Sequence, residues 1–142
     1  MMEDCIFCKI VKGEIPCFKV YEDDQVLAFM DINPISSGHT LIIPKNHAAN
    51  LREISDGDLA AVHKASKKVT AGTETALKAS GVACVQLNGR GVNQVVMHYH
   101  LHLIPKVPGG PDLPVSKWEI IPGDMDEIKV TAENISDALN NR

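Results

Sequence analysis

The chain has 142 residues, a formal net charge of −4, 44% apolar residues and 23% charged residues. This composition fits a single folded domain over residues 1–142 and excludes disordered, fibrous and membrane-embedded classes. The acidic balance also argues against a long nucleic acid as partner.

The start, Met1-Met2-Glu3-Asp4, is acidic, and the short apolar stretch behind it contains Lys9 and Lys12. A secretory signal is therefore not expected, and no apolar run approaches the roughly 20 residues of a membrane span. The expected location is the cytoplasm, where Cys5 and Cys8 stay reduced and serve a metal or a redox cycle rather than a structural disulfide.

Cys5-Ile6-Phe7-Cys8 opens the domain, and the stretch from Cys8 to Gly13 reads as a short helical turn stopped by glycine. Two thiols two residues apart supply half of a tetrahedral zinc site. The redox alternative expects the pair after a strand, at the start of a helix. Cys17 and Cys84 stand alone and read as small buried hydrophobes. Phe18 to Tyr21 and Val26 to Ile32 are β-rich runs joined by Glu22-Asp23-Asp24-Gln25, a hairpin pattern. Asn33 to Gly38 is a loop, and His39 to Ile43 forms a third strand ended by Pro44.

Ser55-Asp56-Gly57-Asp58 can cap a helix running to about Ser80. Leu59, Val62, Val69, Ala76 and Leu77 fall near one face of it, suited to covering a sheet, with His63 beside that face as a structural residue. Val82 to Leu87 is a fourth strand, and residues 88–94 return the chain into Met97 to Pro105, making these two runs antiparallel neighbours. Pro105 to Pro114 is irregular, Trp118 to Ile121 is expected to add a short edge strand, and Asp124 to Leu139 a terminal helix. The expected fold is α+β: an antiparallel sheet of about five strands, one long helix packed on it, and a C-terminal helix.

Within Met97 to Pro105, His98, His100 and His102 alternate with Tyr99, Leu101 and Leu103, the period of a half-buried strand with one face of imidazole. Two chemistries use such a row. Neutral imidazoles can bind a catalytic metal, or one imidazole can be the nucleophile while its neighbours hold and protonate the reacting group. No acidic residue lies between His98 and Asp112, whereas Asn88 and Gln94 offer neutral donors suited to phosphoryl oxygens.

The segment HYHLHLI resembles the signature of the histidine triad family, and CIFCKIVKGEIP, LAFMDINPISSGHTLIIPKNH, Asn88 and Gln94 occur in family order over residues 5–105. The cysteine pair and the tail beyond Trp118 are similar to the Hint-like branch. The resemblance implies a homodimeric nucleotide hydrolase or transferase acting on the α-phosphate of purine nucleoside phosphoramidates, with no catalytic metal. It implies His100 as the nucleophile, His102 as phosphate holder and proton donor, and His39 as completing the cluster. It implies Asp31 on the ribose, Asn88 and Gln94 on phosphate oxygens, and Ile6, Phe7, Ile10, Phe29, Ile32 and Leu41 around the base. It further implies a structural Zn²⁺ held by Cys5, Cys8, His47 and His98. Cleavage of dinucleoside polyphosphates and a nucleotide-binding scaffold role are the alternatives. Two positions depart from the family pattern: Asn93 where glycine is common, and Val95 where some members carry serine near the leaving group.

Overall fold

A computed structural model describes residues 4–141, so Met1, Met2 and Glu3 of the acidic start lie outside the described residues. The elements are α1 (Ile6–Val11), β1 (Lys19–Glu22), β2 (Val26–Met30), β3 (Thr40–Pro44), α2 (Asp56–Leu77), β4 (Gly81–Gln86), β5 (Leu101–Lys106) and α3 (Met125–Asn140). The five strands form one antiparallel sheet in the order β1-β2-β3-β5-β4. The α+β architecture expected from the sequence is the one observed.

Both faces of the sheet are covered along its central strands, which are apolar at every position but Thr40, His102 and Lys106. Val26, Ala28, Ile42, Leu101 and Leu103 pack toward α2, against Val62, Ala65 and Val69. Leu27, Phe29, Leu41 and Ile43 pack on the other face, against Phe7 of α1. Strand alternation then puts His102, between Leu101 and Leu103, on the α1 face. A truncation such as Leu103→Ala would cost about 2–5 kcal/mol, since Leu103 is wholly buried.

Local chemistry sets the ends of the elements. Asp23 Oδ1 accepts from the amides of Gln25 and Val26, closing the β1–β2 turn. Ser55 Oγ accepts from Asp58 N at the start of α2. That helix stops at Leu77 instead of Ser80, because Lys78 takes a left-handed conformation (φ 54°). Gly38 has φ 94°, and a Cβ there would run into Leu77 and Pro105, so only glycine can turn the chain into His39.

Several expectations are corrected. Regular strand geometry in the histidine segment begins only at Leu101; His98, Tyr99 and His100 precede it, drawn aside by Tyr99 N–H donating to Ala48 O and by His98 Nε2–H donating to Pro44 O. Trp118 to Ile121 is no strand: within the described residues nothing pairs with it, and Trp118, Ile120 and Ile121 are exposed. Cys84 is exposed on β4, the sheet edge, and Cys17 is only half-buried. The amphipathic helix α3 forms, capped by Asp124, yet buries no residue.

Candidate active site

The histidines divide between two clusters. His98 is fully buried and turns Nδ1 toward the thiols, 3.3 Å from Cys5 Sγ and 3.6 Å from Cys8 Sγ. His47 Nδ1 lies 3.4 Å from Cys8 Sγ. The donor atoms of Cys5, Cys8, His47 and His98 all lie within 4.8 Å of one another, so the four residues could hold a metal ion. Because the Pro44 carbonyl can only accept, His98 carries its proton on Nε2 and leaves the Nδ1 lone pair facing the sulfurs. Burial pushes the Cys5 thiol up, a cost that a bound cation would offset.

His100 and His102 line a different space, with ring centroids 4.9 Å apart. The ring of Phe7 meets His100 edge-on at 5.2 Å. His100 Nδ1 lies 2.7 Å from the His98 carbonyl, again an acceptor only, so Nδ1 carries the proton and Nε2 the lone pair. That is the form a nucleophile needs. Burial holds the His100 pKa below the ordinary imidazole value, keeping the ring neutral.

A second hydrogen-bond chain fixes His102. The amide of Ile35 donates to His39 Nδ1 at 3.1 Å, so His39 is protonated on Nε2, which donates to His102 Nδ1 at 2.9 Å. His102 therefore keeps its proton on Nε2, a nitrogen with no partner among the described residues and not sealed from solvent. Burial, with the neighbouring His100 and His39 rings, pushes His102 down to about 4. Asp31 Oδ2 stands 3.5 Å from His39 Nε2. Asp31, His39 and His102 are close enough to grip an ion. The Ile35 amide facing His39 Nδ1 instead keeps a proton on the nitrogen that would bind it, so the trio reads as a hydrogen-bond chain.

The cavity around His100 and His102 holds about 440 Å³ and meets an apolar cleft of about 220 Å³, with Asp31 and Leu41 lining both. Ile6, Ile10, Phe29 and Ile32, the residues expected around a base, line the cleft, while Phe7 lines the histidine cavity. Ile15, Pro16, Cys17, Phe18 and Met30 also line the cleft, and no spacing or residue type in the sequence singles them out for it.

Asn88 and Gln94, expected on phosphate oxygens, do not line the cavity. Asn88 exchanges two hydrogen bonds with Gln86 and accepts from Leu51 N. Gln94, 1% exposed, donates to Ala49 O and Val96 O and accepts from Gly89 N. Gln94 thus braces the loop from 89 to 96, while Asn88 ties the end of β4 to Leu51. Asn93, with φ 72°, is the residue of that loop that lines the cavity.

The HIT domain family model matches residues 12–109. Adenosine 5'-monophosphoramidase of Schizosaccharomyces pombe is 45% identical over 135 residues, covering 95% of this chain and 98% of its own. Adenylylsulfatase of Arabidopsis thaliana is 43% identical over 75% of this chain and 54% of its own. The crystal structure of a histidine triad nucleotide-binding protein from Candida albicans superposes with a TM-score of 0.82 at 38% identity, covering 97% of this chain and 99% of that one. With a match that runs from the end of α1 to the turn after β5, this chain belongs to the histidine triad family.

Proposed function

We propose that the protein is a nucleotide hydrolase that cleaves purine nucleoside phosphoramidates of the AMP–amine type through a covalent nucleotide on His100. The observation that carries this reading is the 2.7 Å contact between His100 Nδ1 and the His98 carbonyl, which presents the Nε2 lone pair in a cavity beside an apolar cleft. The similarity to an adenosine 5'-monophosphoramidase supports the substrate class.

The apolar cleft takes the base, a purine filling more of it than a pyrimidine, and Asp31 at its edge takes the ribose hydroxyls. The α-phosphate then lies against His100 and His102, and its negative charge raises the proton affinity of His102 above that in the free enzyme. His100 Nε2 forms a bond to phosphorus as the P–N bond breaks. The electron pair stays on the amine nitrogen, which takes the Nε2 proton of His102 after the His39–His102 pair has gained one proton beside the phosphate, leaving the pair neutral and His102 Nε2 free to accept. Water next attacks phosphorus, neutral His102 accepts its proton, and His100 departs with its lone pair restored.

The Cys/His cluster fits zinc. A tetrahedral ion with bonds of about 2.3 Å to sulfur and 2.0 Å to nitrogen has S···N edges of roughly 3.5 Å, and the observed separations run from 3.3 to 3.6 Å. Cys5, Cys8, His47 and His98 would hold the ion as a closed structural site that ties α1 to the segment leading into the catalytic strand. The free thiols suit the reducing cytoplasm.

A homodimer is part of the proposal. Trp118, Ile120, Ile121, Met125, Ile128, Ile135 and Leu139 are all exposed along one arm, and a helix of 16 residues is marginal without packing.

The test is turnover of adenosine 5'-phosphoramidate by the wild type and His100→Asn. The wild type is expected to release AMP and the variant to bind AMP without turnover; equal rates would remove His100 from its role.

A further inference from the structure

The histidine cavity has two unlike halves. Asp31 and Leu41 stand on the side it shares with the base cleft. On the opposite side stand Val85 and Leu87 at the end of β4, Val95 and Val96 from the returning loop, and Ile104 of β5. Sheet order explains the division: Val85 pairs with His102, and β4 lies across β5 from β3, away from the base cleft. Asp31 is the only Asp, Glu, Lys or Arg among the residues lining this cavity.

We propose that this aliphatic half is the leaving-group pocket, and that it selects AMP joined to an uncharged, apolar amine over AMP joined to a charged amine or a polyphosphate. The proposal rests on the hydrolase reading above and narrows its substrate class. With the base in the cleft and phosphorus at His100, the departing group must extend past the histidines toward β4. A polyphosphate there carries several negative charges and needs Lys, Arg or aligned donors to receive them. It meets five aliphatic side chains and the single neutral amide of Asn93 instead, with no cation among them. An alkyl group in the same place leaves water, a gain of about fourfold for each methylene buried. Val95 is 70% exposed at the mouth, where an incoming chain would cover it. As the P–N bond breaks, its electron pair remains on the amine nitrogen and the proton comes from His102, so the pocket receives a neutral amine.

A series of adenosine 5'-phosphoramidates of methylamine, propylamine and pentylamine tests this. Linear amines are nearly equal in basicity, so differences report the pocket. From methyl to pentyl, kcat/KM is expected to rise by about tenfold or more, with diadenosine tetraphosphate below the methyl compound. Val95→Lys should flatten the series and raise the tetraphosphate relative to the methyl compound by about fivefold or more, the new cation receiving the polyphosphate. Val92→Lys makes the same charge change at an exposed neighbour that does not line the cavity, and should keep the wild-type slope. A flat or falling wild-type series, a Val95→Lys series unchanged, or equal flattening by both variants overturns the pocket assignment alone. If neither the phosphoramidates nor the tetraphosphate is turned over, the hydrolase reading falls and takes the pocket with it.

Discussion

His39 Nε2 lies 2.9 Å from His102 Nδ1, and the other nitrogen of His39 accepts the amide proton of Ile35. One backbone N–H thus sets the tautomer of two imidazoles in turn, leaving His102 with its donor toward the cavity. His39 is 2% exposed and does its work through His102.

Replacing His39 by Ala should therefore let His102 adopt either tautomer. The expected result is a fall in kcat of about 10²-fold with KM changed far less. Steady-state kinetics on an AMP phosphoramidate checks this; a loss confined to KM would make His39 a binding residue.

The depressed His102 pKa makes stability depend on pH. The folded value of about 4 lies below the ordinary imidazole value of 6.5. Between these values the unfolded chain binds a proton that the folded chain does not, so stability is complete above about pH 6.5 and declines as pH falls toward 4. Urea midpoints at pH 7.5 and 4.5 should differ more in the wild type than in His102→Gln, by an amount worth about 2 kcal/mol. Equal differences would remove His102 as a source.

The metal prediction is independent of turnover. Protein purified without added metal should carry about one zinc per chain by elemental analysis, and Cys8→Ser should lose it. Cys8 is wholly buried beside His47 and His98, so its loss should lower Tm by about 10 °C or more. A zinc-free chain with unchanged Tm would contradict the assignment.

Asp31 stands between the two cavities with Oδ1 accepting from Asn33 N. If its carboxylate also grips the ribose, Asp31→Asn should raise KM by about 10- to 100-fold. A 2'-deoxy substrate should cost the wild type a comparable factor and the variant little more, and independent, additive losses would place Asp31 elsewhere.

Much of this site was legible in the sequence because its donors are scarce residue types. Cys5, Cys8, His47, His98, His100 and His102 declare their chemistry wherever the chain brings them, and the family order supplied the grouping. Less visible was what a polar side chain spends its hydrogen bonds on. Asn88 and Gln94 read as phosphate donors, but their partners are Gln86 and backbone groups of residues 49, 51, 89 and 96, which sequence spacing does not reveal. The apolar half of the cavity was hidden for the opposite reason: Val85 and Leu87 look like any core strand residues. Trp118 to Ile121 has β-strand composition yet meets no sheet edge among the described residues, because propensity cannot form a strand without a partner.

The most direct test mixes the protein with an AMP phosphoramidate, stops the reaction at neutral pH in denaturant, and locates the added mass by peptide mass spectrometry. A nucleotidyl group on the peptide holding His100, formed by the wild type and absent in His100→Asn, is the predicted result. A transferred nucleotide on any other residue, or turnover by His100→Asn at the wild-type rate, would contradict the account.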